Sequence, residues 1–253
     1  VKVRSTDKRG IEVPKRTGQF SATFVAETAT RTETSGYTTG LMSIDAHELY
    51  ALVDISQAML EDSAFNMESE MAVEFAEQFA VAEGTAIVSG DGIGKPFGIT
   101  DASQGVGTTN TGAGTALKAD GLYDLIYAIK SDYLKNSQFV MNRGTFAKVL
   151  QLEDTAGQKV FHVGLNLVSG APSTIAGYTY VLAKDMPDVG AGAKPIAFGD
   201  FARAYTLVDR VSMSIMRDPY SQANVGNTRY LARRRVGGAV VNAEAIRLQN
   251  VSA

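Results

Sequence analysis

Between Asn66 and about Val88 the apolar residues recur every four positions. Met67, Met71, Phe75 and Phe79 form one row, Ala72, Ala76 and Ala80 lie beside it, and Glu70, Glu74 and Glu77 take another face. That period belongs to a helix and not to a strand. Asn66 is placed to cap its start, Glu68 and Glu70 complement its positive end, and Gly90-Asp91-Gly92 stops it. At about 1.5 Å per residue such a helix is a rod of roughly 33 Å, long for a chain of 253 residues. The fold has to be built along it. Met71, Phe75 and Phe79 are its expected core contacts, with Glu70, Glu74 and Glu77 facing outward.

The acidic face is part of a wider sorting of charge. Residues 1–40 carry +3, residues 41–94 carry −11 with no Lys or Arg at all, and residues 95–253 carry +5. Blocks of opposite sign suit head-to-tail contacts between copies, where complementary patches set the register. A solvated acidic helix face would show the same pattern. With 45% hydrophobic and 20% charged residues, the composition excludes fibrous and disordered classes. No apolar run approaches the roughly 18 residues needed to span a bilayer, so no membrane is expected. The absence of cysteine removes disulfides and thiolate zinc sites, and two histidines, His47 and His162, leave little for an imidazole site. No cofactor or metal is expected. The chain opens on Val1 without a charged-then-apolar leader, which reads as a processed or truncated start, not an exported one.

The first forty residues are rich in Thr, Ser, Gly and charge, with β-patterned stretches at Ile11–Val13 and Phe20–Val25. They read as a long two-stranded ribbon with little core of its own, which must lie on the body of the chain or on a neighbouring copy. Met42, Ile44 and Ala46, then Leu49, Ala51, Val53 and Ile55, alternate as a returning strand that changes phase near His47. Thr100–Thr115 reads as a loop. A second helix follows Asp120, with Leu122, Leu125, Ile126, Ile129 and Tyr133 on its buried stripe. Short strands are expected at Phe139–Met141, Tyr178–Leu182 and Ile196–Phe198, with a short helix around Phe146–Leu150. Alternation from Val211 to Ile215 and from Thr228 to Val241 gives two further strands, the second basic at Arg229, Arg233, Arg234 and Arg235. The class is α+β, without an internal repeat.

Chemistry-bearing patterns fail one after another. Gly90-Asp91-Gly92-Ile93-Gly94-Lys95-Pro96-Phe97-Gly98 suggests a phosphate-cradling loop, but Ser89 and Pro96 stand where a Walker loop needs Gly and Ser/Thr. The dinucleotide fingerprint has Lys95 where it needs Gly. A tight turn leaving a helix explains the segment better. His47-Glu48 lacks a second histidine, because position 51 is Ala51. No Ser has a histidine placed for a triad, and carboxylate pairs such as Glu61 and Asp62 sit beside helix ends. No catalytic residue is assigned, and the chain is read as a non-enzyme. Arg233-Arg234-Arg235 would divide between the two faces of a strand, so it does not form one nucleic-acid footprint. Salt bridging between copies is the preferred reading, joining Arg31, Arg229, Arg233, Arg234 and Arg235 to acidic residues of 61–77.

The order of features is specific even where each is weak. Phe24-Val25-Ala26-Glu27 is followed by His47-Glu48-Leu49-Tyr50-Ala51-Leu52-Val53-Asp54-Ile55-Ser56, Met59-Leu60-Glu61-Asp62-Ser63, the acidic helix and Gly90–Ile99. Val140-Met141-Asn142-Arg143, Asp185-Met186-Pro187, Phe198-Gly199-Asp200-Phe201, Arg217-Asp218-Pro219-Tyr220 and Arg235-Val236-Gly237-Gly238 come next. Over essentially its whole length the chain resembles the major capsid proteins of tailed bacteriophages with the Hong Kong 97-type fold, gene transfer agent (GTA) capsids included.

The resemblance implies a shell subunit with an extended loop at 1–44. A peripheral domain with a spine helix would occupy 45–94 and 210–241, and an axial domain 95–209 and 242–253. It further implies hexamers and pentamers closing around double-stranded DNA, with portal and possible decoration proteins as partners, a virion location and assembly in the host cytoplasm. Two departures stand out. Members begin with a longer arm, whereas this chain starts almost at the hairpin. Some members weld neighbours through a hairpin-tip Lys, but residues 17–94 contain none and Arg31 stays protonated, so no isopeptide crosslink is expected. An encapsulin-like shell and, more remotely, a nucleotide-binding enzyme using Gly90–Gly98 are the alternatives.

Overall fold

A computed structural model describes residues 1–16, 24–25, 39–63, 66–110, 116–153, 158 and 174–252, and arranges them as two sheets, a ribbon and flanking helices. The first sheet has four strands in the order β1 (Lys2–Ser5), β10 (Tyr205–Asp218), β11 (Asn227–Val240) and β4 (His47–Ser56). β1 runs parallel to β10, while β11 is antiparallel to both its neighbours. Alternation on β4 and β11 puts Ile55, Tyr230 and Ala232 on one face, and the long helix covers that face.

That helix, α2 (Met67–Ser89), follows the short α1 (Gln57–Asp62). Asn66 caps it, its side-chain oxygen accepting from the Glu68 and Ser69 amides at 3.2 and 3.4 Å. Its end is fixed by Gly90, whose amide donates to Ala86 O. A Cβ at Gly90 would lie 2.0 Å from Pro96 O, so only glycine lets the turn fold back there.

The ribbon pairs β2 (Gly10–Arg16) with β3 (Thr39–Asp45) antiparallel, and a phase change at Ala46 leads into β4. Its base rests on the body of the same chain, because Val13 and Ile44 pack with Val208 and Ala239 of the four-stranded sheet. Gly237 of β11 allows this crossing, since a Cβ there would meet Asp45 O at 2.1 Å. Of the expected strand at 20–25 only Phe24 and Val25 are described, and they carry no regular structure; the rest lies outside the described residues, as does Arg31.

The second sheet has six strands: β5 (Gly107–Asn110), β12 (Ile246–Asn250), β9 (Ile196–Gly199), β6 (Gln138–Met141), β8 (Tyr178–Leu182) and β7 (Thr174–Ile175), in that order. Helices α3 (Ala119–Tyr127), α4 (Ser131–Leu134) and α5 (Arg143–Leu150) belong to this half. Leu122, Leu125, Ile126 and Val149 are buried with Phe139, Ile196 and Phe198. Two expectations are corrected here. The stripe from Leu122 to Tyr133 is split between two helices, the first ending at Tyr127. The Gly/Thr-rich stretch after Thr100 contains β5, paired parallel to β12. A third core cluster joins the two sheets through Val88, Ile99, Tyr205, Val236, Ile246 and Leu248, and the Tyr205 hydroxyl ties the joint by donating to Phe97 O at 2.7 Å. After the short α6 (Phe201–Ala204), β10 leaves this joint directly.

Candidate assembly surfaces

The helix face of the four-stranded sheet is closed. Phe75 and Phe79 are each 3% exposed, Met71 is half-buried, and they sit over Ile55, Tyr230 and Ala232. The register supplies the room: Ala232 pairs with Ala51, so two small residues lie side by side beneath the rings. The outward side of α2 carries exposed Glu70, Glu74 and Glu77, of which Glu74 accepts a hydrogen bond from the Gln78 amide at 2.8 Å. Near the helix start the sheet reaches up to Glu68, through the Tyr230 hydroxyl at 3.1 Å and an Arg217 ion pair at 3.0 Å.

The opposite face of the same sheet is covered by the base of the ribbon at its Val208–Ala239 end and is exposed along Tyr50, Leu52 and Met216. Cross-strand register arranges it in rows: Glu48 with Arg235, Tyr50 with Arg233, Leu52 with Leu231, and Asp54 with Arg229. Tyr50 is 68% exposed and Met216, beside Leu231, 55%. An apolar strip is thus bounded by two ion pairs, a bidentate Arg229–Asp54 contact at 2.7 and 2.8 Å and an Arg235–Glu48 contact at 2.8 Å. The hydrogen bond from Arg229 holds the Asp54 carboxyl below its ordinary value, and that from Arg235 does the same for Glu48.

Arg234 points the other way, toward α2. Its guanidinium makes ion pairs with Glu83 at 2.7 Å and Asp209 at 2.8 Å, the three side chains being 26%, 12% and 24% exposed. Burial raises the Glu83 carboxyl above its ordinary value; Arg234 works against the shift and Asp209 adds to it. Three of the arginines expected to reach a neighbouring copy, Arg229, Arg234 and Arg235, therefore have carboxylate partners within the chain. The β4 register brings the partners of Arg229 and Arg235 into line, whereas Arg233 is exposed across from Tyr50 with no ion pair among the described residues.

The turn at Gly90–Gly98 is closed on itself. Asp91 and Phe97 form a bridge, Asp91 Oδ1 accepts from the Ile93 amide at 3.0 Å, and Lys95 pairs with Asp91 at 3.5 Å. The Phe97 and Gly98 amides donate to Gly238 O and Gly90 O. The Ile93, Phe97 and Gly98 amides are thus occupied within the protein, and a carboxylate already sits in the turn. Ile93 projects from it, 82% exposed. A cleft of about 380 Å³ opens beside it, between the start of β4 and the last turns of α2, with a mainly apolar lining that includes Leu49, Ala82, Ala86 and Pro96.

Similarity to known proteins identifies a family for a chain with these surfaces. A family model described as the phage capsid family matches residues 1–251. The capsid of an empty GTA particle superposes with a TM-score of 0.89 at 33% identity, covering 100% of this chain and 88% of that one. The capsid of a native GTA particle gives 0.89 at 34%, with the same coverage. Gordonia phage Cozz gives 0.69 at 14% identity, covering 99% of this chain and 85% of the other, and so shares the fold. No curated protein sequence matches the chain.

Proposed function

The chain belongs to the phage capsid family, and from that premise we propose how its surfaces are used. It is a shell-forming structural subunit. Its copies group into hexamers and pentamers that close around double-stranded DNA without reading sequence, and the shell carries a portal and accepts decoration proteins. The subunit is a non-enzyme, works in the particle, and assembles in the host cytoplasm. Residues 1–44 serve as the extended loop, 45–94 with 210–241 as the peripheral domain, and 95–209 with 242–253 as the axial domain. The four-stranded sheet with α2 and the six-stranded sheet are the cores of the last two.

The observation that carries the reading is the match along the entire chain to a GTA capsid at 33% identity. The chain has 12% to 17% identity to the tailed-phage capsids it resembles, so a GTA-like particle is favoured over a tailed phage within the same shell class. The exposed strip of Tyr50, Leu52 and Met216 supports the extended loop of a neighbouring copy lying on this face.

Negative-stain microscopy and sedimentation of particles from the native source are the test. Closed shells containing nuclease-protected double-stranded DNA are expected, with a single monomer band on a denaturing gel after boiling. A strictly monomeric protein in that source would sink the proposal, and a ladder of covalent multimers would overturn the absence of crosslinks.

A further inference from the structure

We propose that a basic cleft at the foot of the ribbon is a carboxylate-binding site, and that its occupant is the acidic face of α2 from a second copy of this chain. The proposal rests on the shell reading and adds to it the groups that set the register between neighbours. The cleft has a volume of about 390 Å³ and is lined by Arg9, Ala46, His47, Glu48, Arg210 and Arg235. Three guanidinium groups from three separate parts of the chain thus face one carboxylate.

Each arrives there by a definite structural device. In the β10–β11 ladder Asp209 pairs with Val236 and Val211 with Arg235, which leaves Arg210 as the extra residue of a bulge. A bulge re-aims a side chain that the regular pleat would send elsewhere. Arg9 is brought to the same place because its carbonyl accepts from the Ala46 amide at 2.9 Å. Arg235 is already engaged by Glu48, but neither Arg9 nor Arg210 has an ion pair among the described residues. Gathering like charges gains nothing within one chain. Guanidinium forks match carboxylates in a bidentate way, and that is the chemistry such a cleft selects.

The complementary surface is on the same molecule but out of its own reach. Glu70, Glu74 and Glu77 fall on one stripe of α2, exposed, in a block of residues that contains no Lys or Arg. Like charges four apart weaken their own helix, so the stripe gains from cations brought from outside. The start of α2 sits over Tyr230 and Val53, whereas the cleft lies at His47 and Glu48. α2 covers the face of Tyr230 and Ala232, whereas Glu48 and Arg235 stand on the opposite face, so the sheet itself lies between stripe and cleft. Stripe and cleft therefore meet only between copies, head to tail, an interface of the kind that makes rings where its rotation closes.

The test is a charge exchange. Arg9→Glu with Arg210→Glu, and separately Glu74→Arg with Glu77→Arg, should each lower assembly by at least about ten-fold at low salt, while the four substitutions together restore it. Sedimentation velocity reads assembly, and a thermal melt checks that each variant is folded. Wild-type assembly of either pair, or no recovery in the combined variant, overturns the proposal while leaving the shell reading intact; failure of the wild-type protein to assemble strikes the shell reading itself. If Arg9→Glu/Arg210→Glu loses inorganic phosphate or DNA binding yet assembles normally, the occupant is a phosphate and the proposal is again overturned. Should the charge-reversed chains not fold, Arg210→Cys with Glu74→Cys gives a second readout in a chain without native cysteine. A short bis-maleimide should then link assembled particles into multimers, and only unlinked monomer would refute the contact.

Discussion

The two sheets bury their faces to different degrees. In the six-stranded sheet all four residues of β9 are buried, and Phe139, Phe198 and Tyr178 stack around them, with ring centroids 4.4 Å apart for the first pair and 5.1 Å for the second. Phe146 and Tyr180 add a further stack at 4.6 Å, and helices supply the rest of the cover. The four-stranded sheet closes one face with α2 and leaves the other showing Tyr50, Leu52 and Met216 between ion pairs. The first is closed at its centre within one chain, although Val181 and Leu182 of β8 stay 46% exposed at its margin. The second keeps its apolar strip, its bulge arginine and its acidic helix unsatisfied. An exposed apolar patch rimmed by charge suits contact with protein, and on the proposed function the difference separates the part of the subunit that folds from the part that assembles.

Substitutions that distinguish those roles sharpen the contrast. The largest effect is expected in the six-stranded sheet, where Phe139→Ala or Phe198→Ala removes a fully buried ring and should cost roughly 3–5 kcal/mol in urea unfolding of the unassembled chain. Phe75→Ala opens a smaller cluster beside the sheet edge; a loss of roughly 3 kcal/mol is expected, together with reduced assembly yield. If Phe75→Ala proves the more damaging of the two to the unassembled chain, the contrast is inverted and fails. Arg234→Met comes third, since it leaves Glu83 and Asp209 facing one another. Removing one partner of a fully buried pair costs about 3–5 kcal/mol. The three groups here keep some solvent contact, so about 1–2 kcal/mol is expected, and a stability equal to wild type would show that the cluster is solvated.

Much of this contrast can be read in the residues themselves. The spacing of Met71, Phe75 and Phe79, the Asn66 cap and the Gly90 stop define α2 almost to the residue, because helix ends are set by local chemistry. The ribbon is only half legible: alternation marks Ile11 with Val13 and Met42 with Ile44 as strands, but the pattern pairs the first with 20–25, whereas it pairs with Thr39–Asp45, a partner that closure of a long loop and not local pattern selects. β1 is not legible, because its partner Thr206–Asp209 lies two hundred residues away in parallel register and Val3 remains exposed. β5 carries no apolar signal at all, since Gly107-Thr108-Thr109-Asn110 is a strand only by its pairing with β12. The intrachain arginine pairs had a signal that charge counting passes over: Glu48 and Asp54 have the same spacing as Arg229 and Arg235, as two antiparallel strands in register require. Arg9 and Arg210 had none, because a bulge is a property of pairing between strands.

The smallest expected effect is a pH dependence confined to one side of the contrast. Of the displaced carboxyls, Glu48, Asp54, Glu83 and Asp218 belong to the four-stranded sheet or to α2, while Asp91 lies in the turn after α2 and is held down by the Ile93 amide. The Glu48 and Asp54 carboxyls are held down by hydrogen bonds from Arg235 and Arg229, and Asp218 by the Ser221 hydroxyl and the Tyr220 and Ser221 amides. Their stabilisation is present above the ordinary values of 4.5 for Glu and 3.8 for Asp, and is lost as the pH falls through the lower folded values. Glu83 acts in the opposite sense. Burial raises its folded value, so the folded state holds its proton more tightly than the unfolded chain does, and stability declines as the pH rises from 4.5 through that folded value. Hydrogen exchange should therefore show β4 and β11 opening before β6 and β9 as the pH is taken below about 4, where acid protonates paired carboxylates. Glu83→Gln should flatten the decline above 4.5 without changing the acid limb, since it removes the one carboxyl of the four whose folded value is raised. Simultaneous opening of both sheets in acid would show that the ion pairs on the exposed face add nothing specific to the four-stranded half.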